Sequence, residues 1–549
     1  MNRMAMRSMI SLIALPKLNF PRYVIILVVA LFIAITANGA FFSKVTTLYP
    51  VSDNVGFMAA LSMLLFALLV LLMTLLSLVI PVKIVSISFI FIATLSAYFT
   101  DTFGTVIDSD MIRNTLETNT AEAFDMFTWG LLLKVVFFAV LPSIFILIVS
   151  LKEESILHKT VRLALLAILS FAISGLCLVS NGNQFASFFR EHKSVRYYVN
   201  PSYPIYSAVR YVNEIFKTPE SQELVLLNTK VTPKPAVSRW DNRRLMIMVV
   251  GETARADHFS LNGYDRLTNE FTSNEARLIN FPHISSCGTS TAVSVPCMFA
   301  YQGRKGLDVK TTRRTQNILD LLQAADVNVL WRDNNSDSKG VAARVNYQDY
   351  HTREINTQCD IECRDLGMLE GLQEYINQKS GDIMIVLHQM GSHGPAYFKR
   401  YPEAFAYFQP ACSTPELSDC SQQEVINAYD NSIRYTDYFL SKVIALLKAN
   451  ASFDTSMLYV SDHGESLGEA GVYLHGLPYA FAPDAQTHVP MLLWTGESSS
   501  VNVEQTKLRA NQANSHDALF DTLLAFFHLQ TSLSPASDIP LISMNNRVE

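Results

Sequence analysis

Five stretches of the chain, residues 23–43, 54–82, 84–100, 135–151 and 163–189, carry no Lys, Arg, Asp or Glu. A helix needs about 20 apolar residues to cross a bilayer, with a lower limit of about 17. All five reach that limit, and a run such as 57–80 has no polar face to turn towards water. The pattern predicts five membrane-spanning helices in a domain covering 1–180. The first is read as an uncleaved anchor, because four further spans follow the candidate cleavage site at Ala37-Asn38-Gly39. Beyond it, 181–243 reads as a linker. Within that linker Ile205, Tyr206, Val209, Val212 and Ile215 stand at near-helical spacing and predict an amphipathic helix over 204–217, suited to a bilayer surface or to packing on a soluble domain.

From residue 244 to 549 the pattern changes to short apolar runs at 245–250, 327–331, 382–387, 457–460 and 491–494. Helical periodicity separates them at 315–325, 367–378 and 424–447. Alternating strands and helices predict an α/β domain with a mostly parallel sheet covered on both faces.

Charge supports this division. Only 20 of the first 180 residues are charged, against 72 of the remaining 369. A hydrophobic content of 49% excludes a disordered chain, and a net charge of −6 argues against a nucleic-acid partner. Arg3, Arg7, Lys17, Arg22, Lys83, Lys152, Lys159 and Arg162 fall on one side of the five spans, with Lys44, Arg113 and Lys134 on the other. Positive charge accumulates in the cytoplasm, so everything after residue 180 is expected outside. Cysteine usage agrees. Cys177 lies in the fifth span, while Cys287 and Cys297, Cys359 and Cys363, and Cys412 and Cys420 form three close pairs in the outer domain. Disulfides persist in a periplasm and not in a cytosol. Zinc is the alternative for Cys359 and Cys363, but no second Cys/His pair accompanies them.

The chemistry-bearing residues stand where strands end. The run 245–250 leads into Gly251-Glu252-Thr253, 457–460 into Ser461-Asp462-His463-Gly464-Glu465, and 382–387 into His388-Gln389-Met390-Gly391-Ser392-His393. Ligands of open α/β sheets bind beyond the carboxyl ends of the strands, and carboxylate with imidazole is the donor set for zinc or manganese. A fourth element, the loop 286–297, is rich in hydroxyls and bracketed by Cys287 and Cys297. A metal can turn such a hydroxyl into a nucleophile.

The strings Val249-Val250-Gly251-Glu252-Thr253-Ala254-Arg255, the 286–297 loop, Tyr459-Val460-Ser461-Asp462-His463-Gly464-Glu465-Ser466 and Trp331-Arg332-Asp333-Asn334-Asn335-Ser336 resemble the lipid A phosphoethanolamine transferases, in particular their mobilised colistin-resistance branch. The likeness spans nearly the whole chain. It implies an alkaline-phosphatase/sulfatase-like catalytic domain in the periplasm, carried by a multi-pass protein of the bacterial inner membrane. The resemblance places the nucleophile on Thr291 and the zinc ligands on Glu252, Thr291, Asp462 and His463. It places substrate-binding residues on Ser336, Lys339, His393 and His475, and donor-lipid residues of a membrane-domain loop on Asn114, Thr118 and Glu122. One zinc ion is implied to be tightly bound, with room for a second during turnover. Some relatives carry an extra cysteine pair around the lysine loop, where Ser338 and Ala342 stand here, and 344–358 matches no motif of the family.

The implied reaction moves phosphoethanolamine from phosphatidylethanolamine to a phosphate of lipid A in lipopolysaccharide, through a phosphothreonine, and confers polymyxin (colistin) resistance. The protein is expected to act as a monomer. The outer loop 101–127, with Asp101, Asp108, Asp110, Glu117, Glu122 and Asp125 against Arg113, is read as an acidic surface that attracts the donor's ammonium group. Three other readings are weighed. A sulfatase needs Cys or Ser followed by x-Pro-x-Arg, which is absent around Thr291. A glycerol-phosphate polymerase of Gram-positive envelopes fits poorly with three disulfides. A transporter or sensory receptor needs charged residues within the spans, which these lack.

Overall fold

The computed structural model describes residues 19–118, 120–217, 224–234, 242–533 and 539–545. Contacts divide the chain into two compact units, Met1–Ile112 with Phe127–Glu214, and Arg113–Met126 with Ile215–Glu549.

The helices of the first part of the chain are α1 (Arg22–Thr36), α2 (Gly39–Leu48), α3 (Val55–Ser77), α4 (Val82–Phe103), α5 (Ser109–Glu117), α6 (Thr120–Asp125), α7 (Trp129–Ile148) and α8 (Ile156–Ser180). α3, α4, α7 and α8 are long and apolar enough to cross a membrane, and α1 with α2 makes a fifth span if the pair, bent by 58°, counts as one. Phe137, Phe145, Leu165 and Phe171 on α7 and α8 are more than half exposed, which lipid tolerates and water does not.

Two of the expected spans differ in detail. The first breaks at Ala37-Asn38, where buried Asn38 donates from Nδ2 to the Ile33 and Asn200 carbonyls. Asn200 returns donations from its backbone N–H to Asn38 Oδ1 and from Nδ2 to the Ala37 carbonyl, so the polar groups freed by the break are satisfied in place. The fifth charge-free run is cut at Asn181, a weak helix former, and continues as a separate α9 (Gly182–Glu191). Within α7, Pro142 cannot donate to the carbonyl four residues back. The helix widens into one π turn at Val136–Val140, and the Phe138 carbonyl takes the Thr94 hydroxyl instead. α10 (Ser202–Lys217) leaves Tyr206, Val209 and Val212 of the expected apolar row exposed.

The second unit is built on an eight-stranded sheet: β1 (Arg244–Gly251), β2 (Leu278–Ser285), β3 (Asn328–Asp333), β4 (Asn346–Asp349), β5 (Ile383–His388), β6 (Asp454–Ser461), β7 (His488–Thr495) and β8 (Asn514–Ser515). The strand order is β8-β2-β7-β6-β1-β5-β3-β4. β7 is antiparallel to both neighbours and every other pairing is parallel. β1, β5 and β6 are buried on both faces, which is why they read as unbroken apolar runs. α12 (Gln422–Lys448), started by a Ser421/Glu424 capping box, packs on the sheet; it follows α11 (Thr291–Phe299) in the chain. β2, β4 and β8 are absent from the sequence expectation. β2 contains Pro282, and its register against β7 slips at Pro490, so neither strand shows clean alternation.

Candidate active site

Strand register assembles the site. Gly251 on β1 pairs with Ser461 on β6, so Glu252 and Asp462 leave the sheet side by side. On the other flank Val250 pairs with His388 of β5, and Asp333 of β3 pairs with the same His388. Gly251 is required here, because a Cβ would come 2.6 Å from the Tyr459 ring. Gly391 has φ +54, and a Cβ there would come 2.8 Å from the Glu252 carbonyl oxygen. That close approach lets Ser392 N–H bond the same carbonyl.

Thr291 is the first residue of α11, with Ser290 as its N-cap, so it sits at the positive end of the helix dipole. The turn before it is held by the Cys287–Cys297 disulfide and by Gly288 N–H donating to Ser294 Oγ at 2.9 Å. Thr291 Oγ1 donates to Glu252 Oε2 at 3.2 Å and lies 3.3 Å from His463 Nε2. His463 Nε2 is also 3.4 Å from Glu252 Oε1 and 3.2 Å from Asp462 Oδ2. A tetrahedral ion with ~2.0 Å bonds has ligand–ligand edges of about 3.3 Å, so the spacings from His463 Nε2 to Thr291, Glu252 and Asp462 match three edges of a zinc shell.

The partners of these groups also fit a cation. Asp462 Oδ1 accepts from the N–H of His463 and of Thr253, while Oδ2 has no hydrogen-bond donor among the described residues. His463 directs Nδ1 to the Gly464 carbonyl, which leaves Nε2 for a metal. Burial pushes the Asp462 carboxyl up to about 6, against the pull of His388. Burial, then His475, drives His463 well below the usual imidazole range. A bound cation reverses the first effect and uses the second, since it needs a carboxylate and a neutral imidazole. The other group at ligand spacing among the described residues is Cys287, Cys297 and Asp517, whose two sulfurs are joined to each other.

A small cavity opens over Thr291, lined by Ser336, Lys339, His393, His475, Asn114 and Thr118, together with Glu117, Ser290 and Ala292. The side chain of Glu122 lies outside the described residues. Lys339 reaches this cavity on a loop where Asp337 and Lys339 both have positive φ, a strain retained at functional sites, and its Nζ donates to Ser336 Oγ at 2.8 Å. His475 Nδ1 is 2.8 Å from buried Glu465 Oε2, and Glu465 Oε1 accepts from Tyr397 OH at 2.7 Å. The His475 ring lies against that of His463, with centroids 4.4 Å apart and the planes tilted by 43°. Glu465 and Tyr397 were not among the expected site residues. Glu465 is signalled only by its position two residues after His463.

The segment Arg113–Met126 belongs to this second unit although it lies between two spans in the chain. Arg313 grips Glu117 through two 2.7 Å bonds and also donates to the Ala292 carbonyl, one residue from Thr291. Lys399 and Arg400 both pair with Asp125. These contacts alter the reading of 101–127 as an acidic surface for three of its six carboxylates. Glu117 and Asp125 are neutralised by arginine and lysine of the second unit, and Asp101 is paired with Lys134. The remaining disulfides join Cys359 to Cys363 and Cys412 to Cys420, and Cys177 is free and buried.

Comparison with known proteins fits this geometry. Residues 244–529 match the family model described as Sulfatase, and 65–216 match that of phosphoethanolamine transferase EptA/EptB. The chain is 42% identical over 515 residues to the phosphatidylethanolamine transferase Mcr-1 of Escherichia coli, covering 92% of this chain and 94% of that one. It is 37% identical over 526 residues to the phosphoethanolamine transferase EptA of Salmonella typhimurium, covering 93% and 95%. The solved integral membrane lipooligosaccharide phosphoethanolamine transferase A of Neisseria meningitidis matches with a TM-score of 0.88 at 33% identity, covering 94% of this chain and 96% of that one. Apolar helices, a mostly parallel sheet of the Sulfatase family and likeness along nearly the full length lead to one conclusion: the chain is a membrane enzyme belonging to the phosphoethanolamine transferase family.

Proposed function

We propose that the protein transfers phosphoethanolamine from phosphatidylethanolamine to a phosphate of lipid A, by double displacement on Thr291, at the periplasmic face of the bacterial inner membrane. The observation that carries this reading is the placement of Thr291 Oγ1 within 3.3 Å of both Glu252 and His463, at a buried cluster spaced for a metal. Glu252, Asp462, His463 and Thr291 would hold zinc, which supplies positive charge that acidifies the Thr291 hydroxyl and offsets charge on the phosphoryl oxygens.

The chain's own groups do the rest. In the first half-reaction Thr291 Oγ1 gives its proton to Glu252 Oε2, to which it is hydrogen-bonded, and forms a bond to the donor phosphorus as the bond from phosphorus to the glycerol oxygen breaks. The α11 N-terminus and Lys339 face the phosphoryl oxygens, and positioning with charge neutralisation provides most of the catalysis. His475, with Nδ1 held by Glu465, presents Nε2 to the glycerol oxygen and gives it a proton, so diacylglycerol leaves neutral. In the second half-reaction a lipid A phosphate oxygen gives its proton to His475 and bonds to the phosphorus, the Thr291 oxygen–phosphorus bond breaks, and Thr291 Oγ1 takes back the proton held by Glu252.

Incubating the full-length protein with phosphatidylethanolamine should leave one phosphoethanolamine adduct, mapped to Thr291 by peptide mass analysis. An adduct on Thr289 or Ser290 refutes the assignment. Replacing Glu465 by glutamine keeps the shape but removes the charge that orients His475. A fall in kcat of about 10–100-fold is expected, with zinc content and KM for the donor nearly unchanged. An unaltered kcat removes His475 from proton transfer.

A further inference from the structure

A second cavity of ≈ 260 Å³ lies in the catalytic unit, lined by Arg353, Lys399, Arg400, His351, Asp125 and Glu362, with Asn334, Ile361 and Met390 among its other walls. It borders the nucleophile's cavity on three elements. The turn after β5 gives Met390 to one and His393 to the other, and Arg400 Nε donates to the His393 carbonyl at 2.6 Å. The loop after β3 gives Asn334 to one and Ser336 to the other, with Asn335 between them bonded to Glu252. The segment Arg113–Met126 gives Asp125 to one and Asn114 to the other.

Cations prevail in the second cavity. Arg353, Lys399 and Arg400 face two carboxylates. Asp125 is committed to Lys399 and Arg400, and Arg400 also holds Glu362, whose carboxyl burial pushes up to about 7. Arg353 is exposed and donates to the Asp360 carbonyl rather than to a carboxylate, so its charge is left for a ligand. Ile361 on the wall and Ile355 beside Arg353 are 59% and 47% exposed. Such a site repels an ammonium group and suits an anion carried on an amphiphile.

We propose that this cavity binds the anionic group of the acceptor glycolipid that is not being modified, a sugar phosphate, with Arg353 as its principal donor. The proposal rests on the reading of function above. It gives a role to the segment 344–358, and it separates acceptor recognition from donor recognition. Phosphatidylethanolamine enters over Thr291, while the acceptor is oriented by its second phosphate next door.

The half-reactions make this testable in the full-length protein. Arg353→Glu should load Thr291 from phosphatidylethanolamine at the wild-type rate. It should need about tenfold more diphosphorylated lipid A for half-maximal discharge, the loss of one charge-assisted contact. Arg353→Lys should discharge close to wild type, and with monophosphorylated lipid A the two variants should match wild type. Unchanged discharge of diphosphorylated lipid A by Arg353→Glu, or an equal loss with the monophosphorylated form, overturns the proposal. Binding of diphosphorylated lipid A, measured without donor, reports the cavity separately. If Thr291 never loads, the reading of function fails, while a tenfold weaker binding by Arg353→Glu still upholds the subsite and equal binding rejects it.

Discussion

Thr291→Ala is expected to lower transfer by at least about 10⁴-fold, roughly 5.5 kcal/mol in the barrier, because it removes the hydroxyl held 3.2 Å from Glu252 and 3.3 Å from His463. Two of the neighbouring hydroxyls are used elsewhere. Thr289 Oγ1 donates to the Leu477 carbonyl at 2.7 Å, and Ser294 Oγ receives the Gly288 N–H. Glu252, Asp462 and His463 remain in the variant and should still hold zinc, more weakly for want of the fourth oxygen. Thr291→Ser keeps a hydroxyl at the start of α11 and should retain part of the activity. On the proposed reaction, the product would place a cationic amine on a lipid A phosphate and reduce the negative charge that polymyxins bind. Growth under polymyxin should therefore follow transfer: protection with the parent chain, little with Thr291→Ala, and an intermediate level with Thr291→Ser. An inactive Thr291→Ala protein that still protected cells would sever the link between this chemistry and resistance.

His463→Ala should have an effect of similar size by another route. The imidazole is fully buried, touches Glu252, Asp462 and Thr291 through one nitrogen, and is locked by the Gly464 carbonyl through the other. Its loss removes one of the four proposed ligands and leaves two carboxylates facing each other in a buried site. Zinc affinity should fall by at least about 100-fold and transfer should fall to background. Metal analysis of the purified variant, with transfer measured across a zinc titration, separates the two effects. Stoichiometric zinc with wild-type transfer would falsify the ligand assignment.

What the sequence discloses depends on where the energy is local. β1, β5 and β6 are visible because strands buried on both faces must be apolar throughout, and Glu252, His388 and Asp462 are visible because they stop those runs abruptly. β2 is hidden by Pro282 and by a register slip that depends on its partner. The pairing of Glu465 with Tyr397, and of Arg313 with Glu117, joins segments far apart in the chain, and no spacing rule announces such a pair. The acidic tone of 101–127 was legible; that Glu117 and Asp125 spend their charge on the catalytic unit was not, because their partners lie beyond residue 300. The kink at Asn38 is another long-range outcome, set by Asn200.

The piece of chain between α4 and α7 that packs with the catalytic unit bears on how inhibitors should be sought. A water-soluble fragment begun after the last span is the convenient reagent for screening, yet it lacks Arg113–Met126. Such a fragment keeps Glu252, Asp462, His463 and Thr291. It loses one wall of the cavity over Thr291, frees Arg313 from both Glu117 oxygens, and deprives Lys399 and Arg400 of Asp125. Its mouth is wider and more cationic than that of the intact enzyme. Screens on the fragment will favour anionic compounds that grip those uncovered guanidinium groups, and these compounds will lose potency on the full-length protein. Compounds selected in a bilayer meet the pocket as it works.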